Sequence, residues 1–305
     1  MPGTTGIYHA GSLAVQERVG VRELAARMGR ASGEGIKPVA AAFLEIQPLL
    51  VVSAADPSTS RVWTSPLTGT PGFVRATGTH QISVIGRAPE TDPLATALAT
   101  PGTPLGTIAL DPRTRRRMRL NGRVRPTARG YAVEADRVFG NCPKYLQKRD
   151  SYEVVAGRGA EAARRGSELT SEQAEFIASA DTFFLGTVHA EGADTSHRGG
   201  NPGFVSVDSP GELSWRDYAG NSMFLSLGNI EADPRTGLLF LDWQTGTTLQ
   251  LTGEALLEFG ADSGADSGEE RRVRFTVTEV VERPSAVPLR WSAPEYSPAN
   301  PDLAG

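Results

Sequence analysis

The chain is poor in cysteine, in long apolar runs and in processing signals. Its 305 residues include one cysteine, Cys142, which excludes an intrachain disulfide framework and is typical of the reducing cytosol. The most apolar stretch, residues 38–55, is interrupted by Glu45, Gln47 and Pro48 and cannot form a membrane-spanning helix. The first residues have no cationic segment followed by an apolar run, so we expect no signal peptide and a cytoplasmic location.

Unbalanced charge and several functional motifs are also missing. Lys and Arg number 31 against 35 Asp and Glu, and the net charge of −4 gives no electrostatic reason to bind nucleic acid or an anionic membrane. His9, His80 and His189 show no metal-ligand spacing, so we expect no metal site. No phosphate-binding loop, dinucleotide fingerprint, paired carboxylates or Ser-His-Asp order stands out. The length nevertheless suffices for two domains with their own cores.

An internal repeat is the strongest signal that is present. The segment TSHRGGNPGFV (residues 195–205) echoes TSPLTGTPGFV (residues 64–74), 131 positions earlier. The copies differ in the third and fourth letters, where one has His197 and Arg198 and the other has proline and leucine. We expect the shared letters to be structural and the His-Arg pair to be functional.

Two further echoes keep the same order along the chain. LNG at residues 120–122 matches LTG at residues 251–253, again 131 positions apart. LGTI followed by DPRT, at residues 105–114, matches LGNI followed by DPRT, at residues 227–236, with an offset of 122. The shorter offset implies about nine extra residues before DPRT in the first copy and after it in the second. Three collinear echoes predict a tandem duplication.

The second copy carries readable secondary-structure signals. Thr170 and Gln173 have the form of a capping box at the start of a short helix. Apolar residues at helical spacing predict another helix over residues 221–232. Runs of β-branched and aromatic residues between Gly and Pro turns predict antiparallel strands. These strands are residues 183–188, 204–207, 213–217, 237–242, 248–257 and 273–281.

About six antiparallel strands with one interposed helix are the pattern of a small closed barrel. We expect the first copy to repeat the pattern, with one helix over residues 13–28 before it. The polar, Gly- and Arg-rich residues 147–169 are expected to be a linker. The acidic segment GADSGADSGEE, residues 260–270, is expected to be a solvated loop.

The order of motifs in the second copy resembles the pyridoxamine 5′-phosphate oxidase-like, FMN-binding split-barrel family. The motifs are ADTFFLGTV, TSHRGGNPGFVSV, NSMFLSLGNIEADPRTGLLFLDW and LQLTGEA, spread over residues 171–257. The first copy shares them faintly, and the whole chain is similar to longer two-barrel bacterial members. The resemblance implies a mainly β, α+β fold of two tandem split β-barrels of the FMN-binding type after an N-terminal helix.

The resemblance also implies a domain organisation. In this family the flavin lies at an interface between barrels, which in most members belong to two subunits. The two barrels of one chain would form an internal pseudo-dimer, and the alternative is that the whole chain also forms a homodimer. The expected parts are an N-terminal helical segment (1–39), a divergent first barrel (40–146), a linker (147–170), an FMN-binding second barrel (171–292) and a C-terminal tail (293–305).

The candidate site combines the needs of a phosphate with the family pattern. A phosphate calls for Arg or Lys together with hydroxyls and backbone N–H groups. By position in the pattern, Arg198 and Ser222 would lie near the phosphate, and Ser196 and His197 beside the ring or the ribityl chain. His197 is also the candidate acid or base. The other candidate cofactor contacts are Thr195, Arg216, Tyr218, Asn221, Asn229, Thr248 and Lys144.

Several functions remain open at this point. The resemblance implies an FMN-dependent oxidoreductase that transfers hydride between a small-molecule substrate and the flavin. FAD, deazaflavin and haem are the alternative cofactors, because related barrels bind them, and a non-catalytic carrier of one of these is the alternative function. A third hypothesis is a barrel scaffold with a degenerate site, which acts only through protein contacts. For Arg198 and His197 the alternative to a site role is that of solvated turn residues. The sequence does not name the substrate or the electron acceptor.

Overall fold

The structure of the chain is a computed structural model, which describes residues 7–30, 35–140, 143–155, 162–190, 192–260 and 271–302. Cys142 and the acidic segment 261–270 lie outside the described residues. Over the described ranges the helices are α1 (Ala10–Arg18), α2 (Arg22–Arg30), α3 (Pro38–Glu45), α4 (Ala95–Ala99), α5 (Ser171–Ser179) and α6 (Leu225–Ala232). No helix among them combines the length and the apolar character needed to cross a bilayer.

The first barrel is built from a seven-stranded antiparallel sheet with the order β2-β1-β5-β6-β7-β4-β3. Its strands are β1 (Leu49–Ala55), β2 (Val62–Thr68), β3 (Val74–Gly78), β4 (Gln81–Ile85), β5 (Pro104–Asp111), β6 (Arg116–Thr127) and β7 (Gly130–Gly140). Met118 and Leu120 of β6 face the core of this barrel. Arg119 points to the opposite face and is nevertheless buried, so something outside the barrel must cover it.

The second barrel repeats this topology. Its strands are β10 (Thr182–His189), β11 (Gly192–Gly199), β12 (Val205–Ser209), β13 (Glu212–Arg216), β14 (Arg235–Leu241), β15 (Thr248–Phe259) and β16 (Arg271–Arg283). Their order is β11-β10-β14-β15-β16-β13-β12, which is the order of the first sheet with every strand number raised by nine. The predicted strands and the capping box of α5 are confirmed.

Three short strands lie outside this repeated pattern. β8 (Tyr152–Val154) pairs with β17 (Leu289–Trp291), and β9 (Arg164–Gly166) adds to the sheet beside β16. Both β8 and β9 come from the stretch that we expected to be a linker. The described part of that stretch is therefore packed against the second barrel and its C-terminal extension rather than free in solvent.

The two sheets correspond in register as well as in order. Gly106 pairs with Asn121 in the first sheet as Gly237 pairs with Thr252 in the second, and both partners are shifted by 131 positions. A β-bulge follows Asn121 in β6, and another follows Thr252 in β15. Bulges at the same place in both copies are what a duplicated sheet would retain.

The echo that contains DPRT is wrong as a sign of the duplication. Asp111 ends β5, whereas Asp233 follows α6 and precedes β14, so the two tetrapeptides occupy different places in the copies. In each tetrapeptide the Asp side chain accepts the N–H two residues on, 3.1 Å away, and pairs with the same Arg, which is Arg113 in one and Arg235 in the other. DPRT is thus a local Asx turn that each copy uses independently. The implied nine-residue shift disappears with it.

The barrels pack against each other through corresponding strands. β2 of the first barrel lies against β14 and β15, and β11 of the second barrel lies against β5 and β6. The backbones approach closely where glycine stands: a Cβ at Gly106 would lie 2.4 Å from the backbone of Asp194. A Cβ at Gly237 would lie 2.7 Å from the carbonyl oxygen of Val62. This two-fold-like interface covers the outer faces of β6 and β11.

The N-terminal segment forms two helices rather than the one predicted. Gly20, with φ 74, separates α1 from α2 because the left-handed conformation cannot continue a helix. α1 packs across α6 at a contact between glycines, where a Cβ at Gly11 would lie 2.1 Å from the carbonyl oxygen of Gly228. The Gln16 amide of α1 also donates to the carbonyl oxygen of Met223 over 2.8 Å. The segment that precedes α6 is thereby fixed from outside the barrel.

Candidate functional site

The segment that carries His197 and Arg198 is a strand, not the turn that we expected. β11 pairs with β10 along its whole length, and the turn comes later, where Gly203 has φ 91. Most of β11 is buried, because one face covers its own barrel and the other lies against β5 and β6. Its polar side chains must therefore find partners inside the protein.

A cavity of about 880 Å³, counting its open mouth, lies where β6 of the first barrel meets β11 of the second. The segment between β13 and α6 forms a further wall, and the aromatic side chains of Phe204, Trp215 and Tyr218 face the space. Five basic side chains from both barrels and from the connection between them line it: Arg117, Arg119, Lys144, Arg198 and Arg216.

A buried carboxylate of the second barrel holds Arg119 of the first. Arg119 forms an ion pair with Asp194, and the side chains are 5% and 3% exposed. Asn121 Nδ2 and Ser226 Oγ also donate to this carboxylate over 2.9 and 2.7 Å. Burial raises the pKa of Asp194, but Arg119, Asn121 and Ser226 outweigh that effect and hold the pKa below its ordinary value. Asp194 therefore neutralises Arg119 across the barrel interface.

A second carboxylate is shared between two guanidinium groups. Asp217 Oδ1 lies 3.6 Å from Arg198 Nε, and Asp217 Oδ2 lies 3.5 Å from Arg271 Nε. Burial lowers the pKa of Arg198, although the charge of Asp217 opposes this effect. With Asp194 already engaged by Arg119, the carboxylates are fewer than the basic groups around the cavity. The arrangement favours a bound anion.

The imidazole of His197 is held as a neutral hydrogen-bond donor. Its Nδ1 lies 2.7 Å from Arg117 Nη1. A guanidinium can only donate, so Nδ1 accepts and the ring proton resides on Nε2. Burial, together with the positive charges of Arg117 and Arg198, lowers the pKa of His197 well below its ordinary value. The ring therefore presents an Nε2–H group at neutral pH.

Four buried N–H groups on the cavity wall lack a hydrogen-bond acceptor among the described residues. They are Arg119 Nε, His197 Nε2, Arg198 Nε and Trp215 Nε1. Nearly all buried donors in folded proteins are paired, because an unpaired one costs about 1–3 kcal/mol. Four such donors around one cavity indicate that the site is built to bind a molecule rich in acceptors.

The wall formed by the segment before α6 adopts strained backbone conformations. Ser222 has φ 58 and Phe224 has φ 53, in the left-handed region that non-glycine residues rarely adopt. Across the cavity Tyr145 has φ 64, and its hydroxyl donates to the carbonyl oxygen of Ala219 over 2.8 Å. A Cβ at Gly199 would lie 2.1 Å from the carbonyl oxygen of Tyr145, so this chain crossing requires glycine in β11.

The structure brings most of the sequence-predicted site residues together. Ser196 lies beside the cavity, where its Oγ accepts from Arg198 Nη1 over 3.1 Å and contacts Ser226 Oγ at 2.9 Å. The predicted residues that line the cavity are Lys144, His197, Arg198, Arg216, Tyr218, Asn221 and Ser222.

Three predicted residues lie elsewhere. Thr195 donates its hydroxyl to Ser53 Oγ over 2.8 Å at the centre of the barrel interface. Asn229 donates its amide to Thr187 Oγ1 over 2.9 Å, and its Oδ1 lies 2.8 Å from a ring nitrogen of His9, so it ties α1 to the barrel. Thr248 is fully buried at the start of β15 and does not line the cavity.

The residues that sequence reasoning missed are chiefly those of the first barrel. Arg117 and Arg119 sit in the run RRRMRL at the start of β6, two positions apart and thus on one face of the strand. The 131-position offset sets them against Thr248 and Gln250 of the second copy. Comparison of the two copies, which singled out His197 and Arg198, would also have found Arg117 and Arg119. Each pair has basic residues where the other copy has neutral ones.

Comparisons with known proteins bear on the second barrel. Residues 169–282, from just before α5 to the end of β16, match the family model described as pyridoxamine 5′-phosphate oxidase. A comparison with curated proteins gave no match.

Several solved structures are similar to part of the chain. One is a putative pyridoxamine 5′-phosphate oxidase from Lactobacillus delbrueckii, 20% identical, with 38% of this chain and 94% of that chain covered and a TM-score of 0.30. Another is an FAD-binding protein from Mycobacterium smegmatis, 13% identical, with coverages of 40% and 98% and a TM-score of 0.27. A third is an FAD-binding protein from Mesorhizobium loti, 12% identical, with coverages of 41% and 99% and a TM-score of 0.29.

The fold is of the α+β class, with two split-barrel sheets that have the same strand order. The second barrel contains the segment that matches the pyridoxamine 5′-phosphate oxidase model, and the first barrel shares its strand order.

Proposed function

We propose that the chain is an FMN-dependent oxidoreductase, which transfers hydride between a small-molecule substrate and the flavin. The observation that carries this proposal is the cavity between the barrels, with its excess of basic side chains and its buried donors that lack acceptors within the described part of the chain. FMN has a phosphate dianion and a ring edge rich in acceptors, which is the chemistry that such a cavity would bind. The match of the second barrel to the pyridoxamine 5′-phosphate oxidase model supports a flavin cofactor.

The residues present fit this cofactor in two groups. Arg198, which shares its carboxylate with Arg271, and Ser222 would bind the phosphate. His197, through Nε2–H, and the indole of Trp215 would face the polar edge or the body of the ring.

Bound flavin would supply the hydride chemistry. The chain's own contribution is electrostatic. His197 donates through Nε2 while Arg117 fixes its tautomer, so the donor is in place before any ligand arrives. The buried guanidinium of Arg198, which only shares a carboxylate with Arg271, would stabilise negative charge that develops in the cavity.

The proposal is tested by purification and reconstitution. The protein purified from cells, or refolded with added FMN, is expected to show the two visible absorption bands of bound flavin and to quench flavin fluorescence. Reduction of that flavin by NAD(P)H or by a substrate would distinguish an enzyme from a carrier. A colourless protein that takes up no FMN would overturn the proposal, and a haem Soret band would redirect it to a haem carrier.

The state of His197 gives a prediction about pH. Because its pKa is lowered in the folded protein, we expect no titration of this imidazole between about pH 6 and 8 and a proton on Nε2. The unfolded chain binds the proton more readily, so this residue contributes a loss of stability as the pH falls below about 6.5. Long-range ¹⁵N–¹H NMR of the imidazoles, assigned with His197→Gln, measures both the titration of His197 and the position of its ring proton. A His197 signal that titrates near pH 6.5 would contradict the assignment.

We also propose that the internal pair of barrels takes the place of two subunits. The supporting observation is that Arg117 and Arg119 of one barrel and His197 and Arg198 of the other line one cavity. A complete site then needs one chain only, although the chain can still form a homodimer. Light scattering at low protein concentration is expected to find flavin on monomers; flavin confined to dimers would contradict this.

A further inference from the structure

A second cavity lies at the position that the two-fold-like symmetry of the barrels relates to the candidate site. We call it the counterpart cavity; its space is about 560 Å³. Its wall is the same wall shifted by 131 positions: Phe73 stands for Phe204 and Val84 for Trp215. Two equivalent interfaces in one chain thus create two equivalent cavities, of which one has just been described.

Every basic residue of the candidate site is replaced by a neutral one at the equivalent position of the counterpart. Four of the equivalent positions follow from the 131-position offset. At the ends of β7 and β16 the offset is 142, because Val138 corresponds to Val280 there. This second offset relates Lys144 to its equivalent position. The pairs, with the candidate site first, are Arg117 and Thr248, Arg119 and Gln250, Arg198 and Leu67, Arg216 and Ile85, and Lys144 and Ala286.

A buried carboxylate of the chain's own lies behind the wall of the counterpart cavity, where it binds Arg283. Asp92, in the segment before α4, is 3% exposed, and its Oδ1 accepts from Ser65 Oγ over 2.6 Å and from the N–H of Leu94 over 2.9 Å. Its Oδ2 accepts from Arg283 Nη1 over 2.6 Å. Gln250 Nε2 in turn donates to Ser65 Oγ over 2.8 Å. The carboxylate is therefore surrounded by donors.

The place of this carboxylate is informative. Ser65, to which Asp92 is bound, is equivalent to Ser196, whose hydroxyl lies against Arg198 and Ser226 in the candidate site. Asp92 thus binds the serine that is equivalent to Ser196 and pairs with Arg283, a cation of the counterpart wall. Its partner Arg283 comes from the end of the other barrel, as Lys144 does in the candidate site.

We propose that Asp92 is a built-in anion that satisfies Arg283 in the wall of the counterpart cavity, so that each chain binds one flavin and not two. The part of this inference that concerns flavin binding rests on the proposed function. Its structural part, that Asp92 satisfies Arg283, stands on the contacts alone.

The structural part is tested by chemical rescue without flavin. Asp92→Ala removes the carboxylate and leaves Arg283 and Ser65 facing a space that a small carboxylate fits. We expect the melting temperature to fall by about 5 °C or more, and sodium formate, against sodium chloride at equal ionic strength, to restore at least half of that loss. Asp92→Asn keeps the volume and Asp208→Ala is an exposed control; neither is expected to respond to formate. The absence of rescue in Asp92→Ala would overturn the inference.

A second variant covers the case in which Asp92→Ala does not fold. Asp92→Ala combined with Arg283→Met removes the unpaired buried cation as well, so we expect it to fold, to melt above the single variant and to ignore formate. A double variant no more stable than the single one would show that Asp92 does not serve to satisfy Arg283.

The stoichiometry is measured by titrating the wild-type chain with FMN. One equivalent per chain, with its affinity weakened in Arg198→Leu and unchanged in Leu67→Ala, supports the inference. Two equivalents would overturn it. If FMN does not bind at all, the proposed function fails, and the formate experiment alone then decides whether Asp92 satisfies Arg283.

Discussion

Arg198→Leu is expected to weaken FMN binding about 10- to 150-fold and to leave riboflavin binding unchanged. A charge-assisted hydrogen bond contributes about 1.5–3 kcal/mol, and about 1.4 kcal/mol is a factor of ten in affinity. Riboflavin lacks the phosphate, so it does not report the loss. The variant should remain folded, because Asp217 keeps Arg271 as its partner at 3.5 Å. Leucine is also the residue that the first copy carries at this place.

Flavin fluorescence titrations with both ligands measure this effect. Arg125→Leu, an exposed arginine paired with Glu134 on the first barrel, is the matched control and should bind both ligands as the wild type does. Equal loss of FMN and riboflavin affinity would place Arg198 near the ring instead of the phosphate. Unchanged FMN affinity would remove Arg198 from the site altogether.

Arg119→Gln is expected to lower the free energy of unfolding by about 3–5 kcal/mol. The substitution leaves Asp194 buried without its cation, and breaking one half of a buried ion pair is far more costly than removing both halves. Glutamine itself fits a strand at this place, since the second copy has Gln250 there. Urea denaturation at neutral pH measures the loss. The double variant Arg119→Gln with Asp194→Asn should recover most of it.

The same variant carries a pH signature with a definite sign. In the wild type the pKa of Asp194 is lowered, so its stabilising effect is present above about pH 3.9 and is lost as the pH falls through the folded value. Without Arg119, burial would raise that pKa above its unfolded value, and stability would fall as the pH rises. The difference between variant and wild type should therefore grow from about pH 4 to pH 7. A difference that does not change with pH would mean that Asp194 is not the group affected.

Sequence signals that act within a few residues predicted the strands well. The features that they missed depend on packing between segments far apart in the sequence. The strands and the capping box of α5 follow from alternation and end chemistry, which act within a few residues. The Gly-rich sequence around Gly199 indicated a turn. That glycine is instead required because the backbone of Tyr145 passes close to it, and no local pattern indicates such a contact. DPRT misled because a stable local turn recurs wherever it fits.

The residues of the candidate site are likewise of two kinds: those that the sequence predicts and those that only packing between distant segments brings together. His197 and Arg198 could be found from the sequence, because one copy of a repeated motif differs from the other in charge. That Arg117 and Arg119 share the cavity depends on β6 of one barrel meeting β11 of the other, across a sequence separation of about 80 residues. Asn229 was expected at the cofactor because of its position in the family pattern, but its amide is used to hold α1.

The close backbone contact at Gly106 and Gly237 has a consequence for how the site assembles. When two walls of a cavity belong to separate molecules, dilution separates them and the ligand is lost with the partner. Here a covalent connection keeps the walls at a high effective concentration, so assembly is a unimolecular event. Retention of the bound molecule should therefore be independent of how much protein a cell makes.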